Sequence, residues 1–115
     1  MIENLRNMVL APPARRERFH SVFLDHERRY LGSMTIGQGR VDALSLSLRS
    51  LFQSALALEA RAMILAHNHP SGDCQPSAYD IEATQKISKV ANPLGIELVD
   101  HLIFTSSSLY SMRAR

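Results

Sequence analysis

The chain has 115 residues, 45% hydrophobic and 21% charged, which suits one globular domain and leaves no room for a second of ordinary size. A net charge of +2 is too mild to imply a nucleic-acid surface, and a single cysteine excludes an intramolecular disulfide. No run approaches the roughly 20 apolar residues that cross a bilayer, and the N-terminus lacks the apolar core of a secretory signal, so a cytoplasmic protein is expected.

Residues 1–18 read as an N-terminal arm or short helix, ending in the paired Pro12 and Pro13, which lack amide donors and disfavour helix in the residue before them. The cluster Arg15, Arg16 and Arg18 reads as a solvated lead-in to the first strand. Residues 19–115 form the domain proper. "FHSVFLD" from Phe19 alternates as a strand does, and "RRYLGSMTIG" is its partner across the polar turn "DHER", giving a hairpin. Gly37, Gln38 and Gly39 are expected to break the sheet. Leu44, Leu48, Leu51, Ala55 and Leu58 then recur at helical spacing.

"RAMILA" is short, apolar and bounded by polar residues, as a central strand covered on both faces would be. Beyond the loop "HNHPSGDCQP", Ser77 stands at an N-cap with Asp80 in the first turn, and Ile81, Thr84, Ile87 and Val90 continue a helical stripe to "NPLG". "IELVDHLIF" and "SLYSMR" supply two final strands, antiparallel across "TSSS". The order β-β-α-β-α-β-β argues for an α/β fold, a mixed sheet with helices on its faces.

The chemistry concentrates in "HNHPSGDCQPSAYD", His67 to Asp80, at the carboxyl end of the central strand, where ligand sites of α/β sheets gather. In extended backbone His67 and His69 point to the same side and can converge on one ion. Asp80, at the head of the next helix, would supply an anionic third ligand. Two imidazoles and a carboxylate leave a fourth tetrahedral position for water, the pattern of a catalytic zinc site in which the metal lowers the pKa of that water to about 7. On the residues alone a blander reading stays open, in which the histidines cap a turn and Asp80 serves the helix dipole.

That stretch matches the H-x-H-x(7)-S-x-x-D core of the JAMM (MPN-type) metalloproteases, and its wording resembles the RadC family in particular. "FLD" at Phe23 to Asp25, the Gly39 break and "LGIELVDHLIF" from Leu94 to Phe104 resemble RadC segments in the expected order. The resemblance implies a cytidine-deaminase-like, three-layer α/β/α fold of JAB/MPN type. It also implies zinc held by His67, His69 and Asp80, and a serine, Ser77, that stabilises the tetrahedral oxyanion during hydrolysis of a peptide or isopeptide bond. JAMM enzymes also take a general-base glutamate from an early strand. A gap-free count from "FLD" and back from Gly39 puts Met34 there, so catalysis is expected to be impaired. None of Glu3, Glu17, Asp25, Glu27, Asp42 and Glu59 stands at the matching place, although a neighbour such as Glu27 could substitute. A second carboxylate expected after Arg49 is Ser50 here.

His101 reads as a satisfied histidine in a sheet, a partner behind a ligand or a replacement ligand. A Cys74 thiolate could complete the zinc shell, though a surface thiol is simpler. His20 and His26 read as surface residues, and Asp73 as a brace for the turn after Gly72. The expected partner is a peptide or protein substrate, with no membrane. DNA, suggested by the repair label of RadC-like proteins, is weakly supported, and oligomeric state stays open. The alternative function is a non-catalytic protein- or DNA-binding module.

Overall fold

The computed structural model describes residues 2–10, 17–39 and 47–113. In chain order the elements are α1 (Ile2–Val9), β1 (Glu17–Leu24), β2 (Tyr30–Gly39), α2 (Leu48–Ala57), β3 (Ala62–Asn68), α3 (Ala78–Ala91), a short 3-10 turn (Asn92–Leu94), β4 (Glu97–Phe104) and β5 (Leu109–Ser111). The alternating "ERFHSVFL" makes β1, and Asp25 closes the hairpin by accepting the amides of Glu27 and Arg29 at 2.8 and 2.9 Å.

The strands lie in the order β2-β1-β3-β4-β5. Among the described residues only β3 and β4 run parallel. A parallel pair needs a crossover, and α3 with its 3-10 turn provides it. The expectation of a mixed α/β sheet with helices on both faces is met. Because side chains alternate along a strand, the sheet presents two apolar faces. On one, Val22, Leu24, Ala62, Ala66, Leu102 and Phe104 pack with Leu5 and Val9 of α1. On the other, Phe19, Phe23, Met63 and Leu65 pack with Leu51, Phe52 and Ala55 of α2 and with Ile87 and Ala91 of α3. Burying each large side chain stabilises the fold by roughly 1.5–3 kcal/mol. Arg6 at the end of α1 donates to the Thr105 carbonyl at 3.0 Å and covers the Phe104 ring, so the N-terminal segment is docked on the sheet.

Three details depart from the sequence expectation. The glycines 37 and 39 lie inside β2, where the pairing with β1 skips Ile36 and the irregularity lets the strand continue. The buried face of α3 carries Asp80, Ala83, Ile87 and Ala91, with Val90 exposed, because the helix is rotated to aim Asp80 at the strand end. The first inter-strand helix begins at Leu48 behind the N-cap Ser47. Leu44, Asp42 and the arginines 15 and 16 lie outside the described residues.

Candidate metal centre

β3 carries Met63, Leu65 and His67 toward α3, and His69 follows one residue beyond the strand. The amide of His69 donates to the Phe104 carbonyl at 3.0 Å, which continues the β3–β4 ladder and keeps the segment extended. Both imidazoles therefore face the same way, with ring centroids 4.7 Å apart. Gly72, at φ +90°, turns the loop. Asp73 braces it by accepting the Gln75 amide at 3.0 Å. The chain then enters α3 through a capping box. Ser77 Oγ accepts the Asp80 amide at 3.1 Å, and Asp80 Oδ2 accepts the Ser77 amide at 2.8 Å.

The structure thus brings His67, His69 and Asp80 together. His67 Nε2 lies 3.2 Å from Asp80 Oδ1, and His69 Nε2 lies 2.9 Å from Asp80 Oδ2. The fourth member of the cluster is Glu17. Its Oε1 lies 3.1 Å from His67 Nε2 and 4.0 Å from His69 Nε2, and Glu17, His67 and Asp80 are almost completely buried. One ligand atom from each of the four residues falls within 4.8 Å of the others.

This corrects the expectation that Met34 leaves the site without a glutamate. Met34 is on β2, paired with Ser21 and packed against the main core, whereas β1 brings Glu17 beside β3. The β1–β3 register pairs Phe19 with His67 antiparallel, and its continuation sets residue 17 opposite 69. The amide of Arg18 donates to Asn68 Oδ1 at 2.6 Å and clamps the start of β1 to the end of β3. One sequence signal was available, since Glu17 stands two residues before Phe19 and so on the same face of the strand. Glu27, in the hairpin turn, instead pairs with Arg29. Ser50 bonds to Ser47 at the head of α2.

His67 Nε2 and Glu17 Oε2 are buried and make no hydrogen bond among the described residues. Buried polar atoms left unpaired are costly, and a cation among two imidazoles and two carboxylates would satisfy them, so the site fits a metal ion. Burial would raise the Asp80 carboxyl, but the two imidazoles and the Ser77 amide outweigh it and hold Asp80 far below the usual carboxylate range. The same Asp80 contact, aided by the Asp73 carbonyl and opposed by burial, raises His69 above an ordinary imidazole. His69 Nδ1 donates to the Asp73 carbonyl at 2.8 Å, which turns Nε2 toward the cluster.

Phe19 stacks on His67 with centroids 4.9 Å apart and planes 8° from parallel, an apolar wall behind that imidazole. His101 is fully buried behind His67, Nε2 to Nδ1 at 2.7 Å, and is not among the four clustered residues. Burial pushes its pKa well below the ordinary value, so the ring is neutral at pH 7. Cys74 is a free, half-buried thiol outside the cluster. His26 is exposed beside Glu27, and His20 is half-buried with Nδ1 3.2 Å from Thr35 Oγ1. Beside the cluster opens a cavity of about 320 Å³ lined by Glu17, His69, Ser71, Gln75, Ser77 and Tyr79 among others.

The RadC-like JAB domain family matches residues 2–115. The chain is 38% identical over 97 residues to a UPF0758 protein of Finegoldia magna, covering 84% of this chain and 44% of that protein. It is 37% identical over 98 residues to one of Desulforudis audaxviator, covering 85% and 43%. A Pseudomonas fluorescens relative is 38% identical over 96 residues, covering 84% and 43%. The chain therefore spans less than half the length of these relatives.

Proposed function

This chain belongs to the RadC-like JAB domain family, and we propose that the domain is a zinc-dependent hydrolase of peptide or isopeptide bonds in which Glu17 transfers the proton. The observation that carries the reading is Glu17 itself, a buried carboxylate with one oxygen that has no hydrogen-bond partner among the described residues, next to two imidazoles and Asp80. Ligands about 2.0–2.1 Å from a tetrahedral zinc stand roughly 3.4 Å apart. The contacts of 3.2 and 2.9 Å from Asp80 to the two imidazoles need only small side-chain rotations to reach that spacing.

Zinc, when bound, supplies Lewis acidity that acidifies water and polarises a carbonyl. His67, His69 and Asp80 would hold it, and the remaining steps belong to the chain's own groups. Glu17 Oε2 accepts the proton of the attacking water and delivers it to the leaving amine nitrogen, as a general base and then acid. Burial of Glu17 beside Phe19 keeps bulk water from competing for that proton. Ser77 Oγ is an acceptor in the capping box, so its own hydrogen stays free to donate to the developing oxyanion. A peptide carbonyl reaches the cluster through the open cavity lined by Ser77 and Tyr79.

Metal content and amide hydrolysis test the reading together. Protein purified without added ions should carry zinc, and His67→Ala should not. Glu17→Gln should keep zinc and lose hydrolysis of a generic peptide by about 100-fold to 10,000-fold, the usual span for a lost acid/base group. Equal zinc in His67→Ala, or an unchanged rate in Glu17→Gln, contradicts it.

A further inference from the structure

We infer that Thr84 and His101 form a hydrogen-bond relay that sets the tautomer of His67, directing its Nε2 lone pair into the ligand cluster. The inference rests on the reading of that cluster as a metal site, but the geometry that carries it lies behind the cluster, between α3, β3 and β4.

The relay begins at an acceptor that cannot donate. Thr84 Oγ1 lies 2.7 Å from the backbone carbonyl of Asp80, one helical turn earlier, and 3.7 Å from Met112 Sδ; the carbonyl is the nearer and stronger acceptor and takes the hydroxyl's only hydrogen. Thr84 Oγ1 is also 2.5 Å from His101 Nδ1. With its hydrogen already engaged, the hydroxyl can only accept, and His101 must carry its proton on Nδ1. A neutral imidazole has one N–H, which leaves His101 Nε2 as a lone pair. That atom is 2.7 Å from His67 Nδ1, so His67 must in turn be protonated on Nδ1. His67 Nε2, the atom 3.1 Å from Glu17 and 3.2 Å from Asp80, is then the nitrogen left to face a metal ion. The opposite direction would leave Thr84 Oγ1 and the Asp80 carbonyl facing each other as two acceptors at 2.7 Å.

The chain of bonds starts at the backbone of one ligand, Asp80, and ends at the ring of another, His67. It ties the head of α3 to the sheet. Phe19 packs against both rings, 4.9 Å from His67 and 5.0 Å from His101, and limits their rotation. His69 needs no relay, because its Nδ1 donates directly to the Asp73 carbonyl. His101 is thus a positioning residue that touches neither metal nor substrate, and Thr84 is one bond further out. Partners of this kind orient a metal-bound histidine, and losing one typically weakens metal affinity 10–100-fold.

The test uses ring-nitrogen NMR and zinc titration on the whole chain. In the metal-free protein, 15N shifts should report His101 protonated on Nδ1 and bare on Nε2, with a proton on His67 Nδ1 directed at it. His101→Leu should weaken zinc binding about 10–100-fold. His101→Gln, whose amide oxygen accepts from His67 and whose NH₂ reaches Thr84, should stay within a few-fold of wild type. Thr84→Val should shift the His101 proton from Nδ1 to Nε2 and weaken zinc, and Thr84→Ser should restore both. If His101→Leu fails to fold, the Thr84 pair carries the test alone. A His101 ring protonated on Nε2, wild-type zinc affinity in His101→Leu, or equal losses in His101→Gln and His101→Leu would each overturn the relay. Absence of zinc binding by the wild type would instead sink the metal reading, with the metal-free ring shifts still deciding the relay.

Discussion

Asp80→Asn separates the two roles that the aspartate plays. In the metal-free protein Asn keeps an amide oxygen to accept the Ser77 amide, now at 2.8 Å from Asp80 Oδ2, so the helix cap survives. What is lost is the carboxylate charge at the head of α3, worth about 0.3–1 kcal/mol with the helix dipole, together with its pairing to His67 and His69 at 3.2 and 2.9 Å, so each protein is compared with its own chelated form. The helix-dipole part alone moves the melting point of a domain of this length by no more than about 4 °C. With zinc the effect is larger. An ion at 100 times its dissociation constant stabilises the folded state by about 2.7 kcal/mol, which is about 11 °C at roughly 4 °C per kcal/mol. Losing the anionic ligand should weaken zinc by about 100-fold, the upper end of what even a supporting partner costs. Zinc at the same concentration then contributes only about 0.4 kcal/mol, about 2 °C. Thermal unfolding of both proteins, with zinc and after chelation, measures all four values. A zinc-induced rise in Asp80→Asn as large as in the wild type refutes the assignment of Asp80 as a ligand.

Other perturbations discriminate further. Glu17→Gln should leave most of the zinc-induced melting shift intact while hydrolysis collapses; loss of both together would make Glu17 a ligand rather than a proton carrier. Met34→Glu should give no gain in amide hydrolysis, because Met34 packs against the main core, and it should lower stability by about 1–3 kcal/mol through burial of a polar group. Any rise in rate would contradict the placement of Glu17. Zinc affinity should climb as pH rises from 5 to 8. His69 holds its proton more tightly than an ordinary imidazole, chiefly through Asp80, and below its pKa that proton competes with the metal. Calorimetry in two buffers of different ionisation heat should show proton release on binding, greatest on the acidic side; a pH-independent affinity would sink this expectation.

Much of the fold was legible because its signals are local. Alternation in "FHSVFLD" gave the hairpin strand, though its start at Glu17 was read as part of the arm, the apolar run "RAMILA" gave the central strand, and Ser77 with Asp80 marked the head of α3. The convergence of His67 and His69 also followed from backbone periodicity, since residues two apart in extended chain share a side. Each of these depends on interactions within a few residues, which one chain of letters displays directly.

The glutamate and the relay depend on pairing between distant segments. A count along the hairpin pointed to the second strand, but β2 is an edge strand and β1 lies between it and β3. The middle of β2 is therefore too far from His67 to contribute a carboxylate, while the start of β1 is beside it. The same holds for His101, which reaches His67 only because β4 runs parallel to β3 with Leu65 opposite His101. The residues and their local geometry were present in the sequence. Which of them meet was decided by hydrogen-bond ladders and core packing between strands that are tens of residues apart.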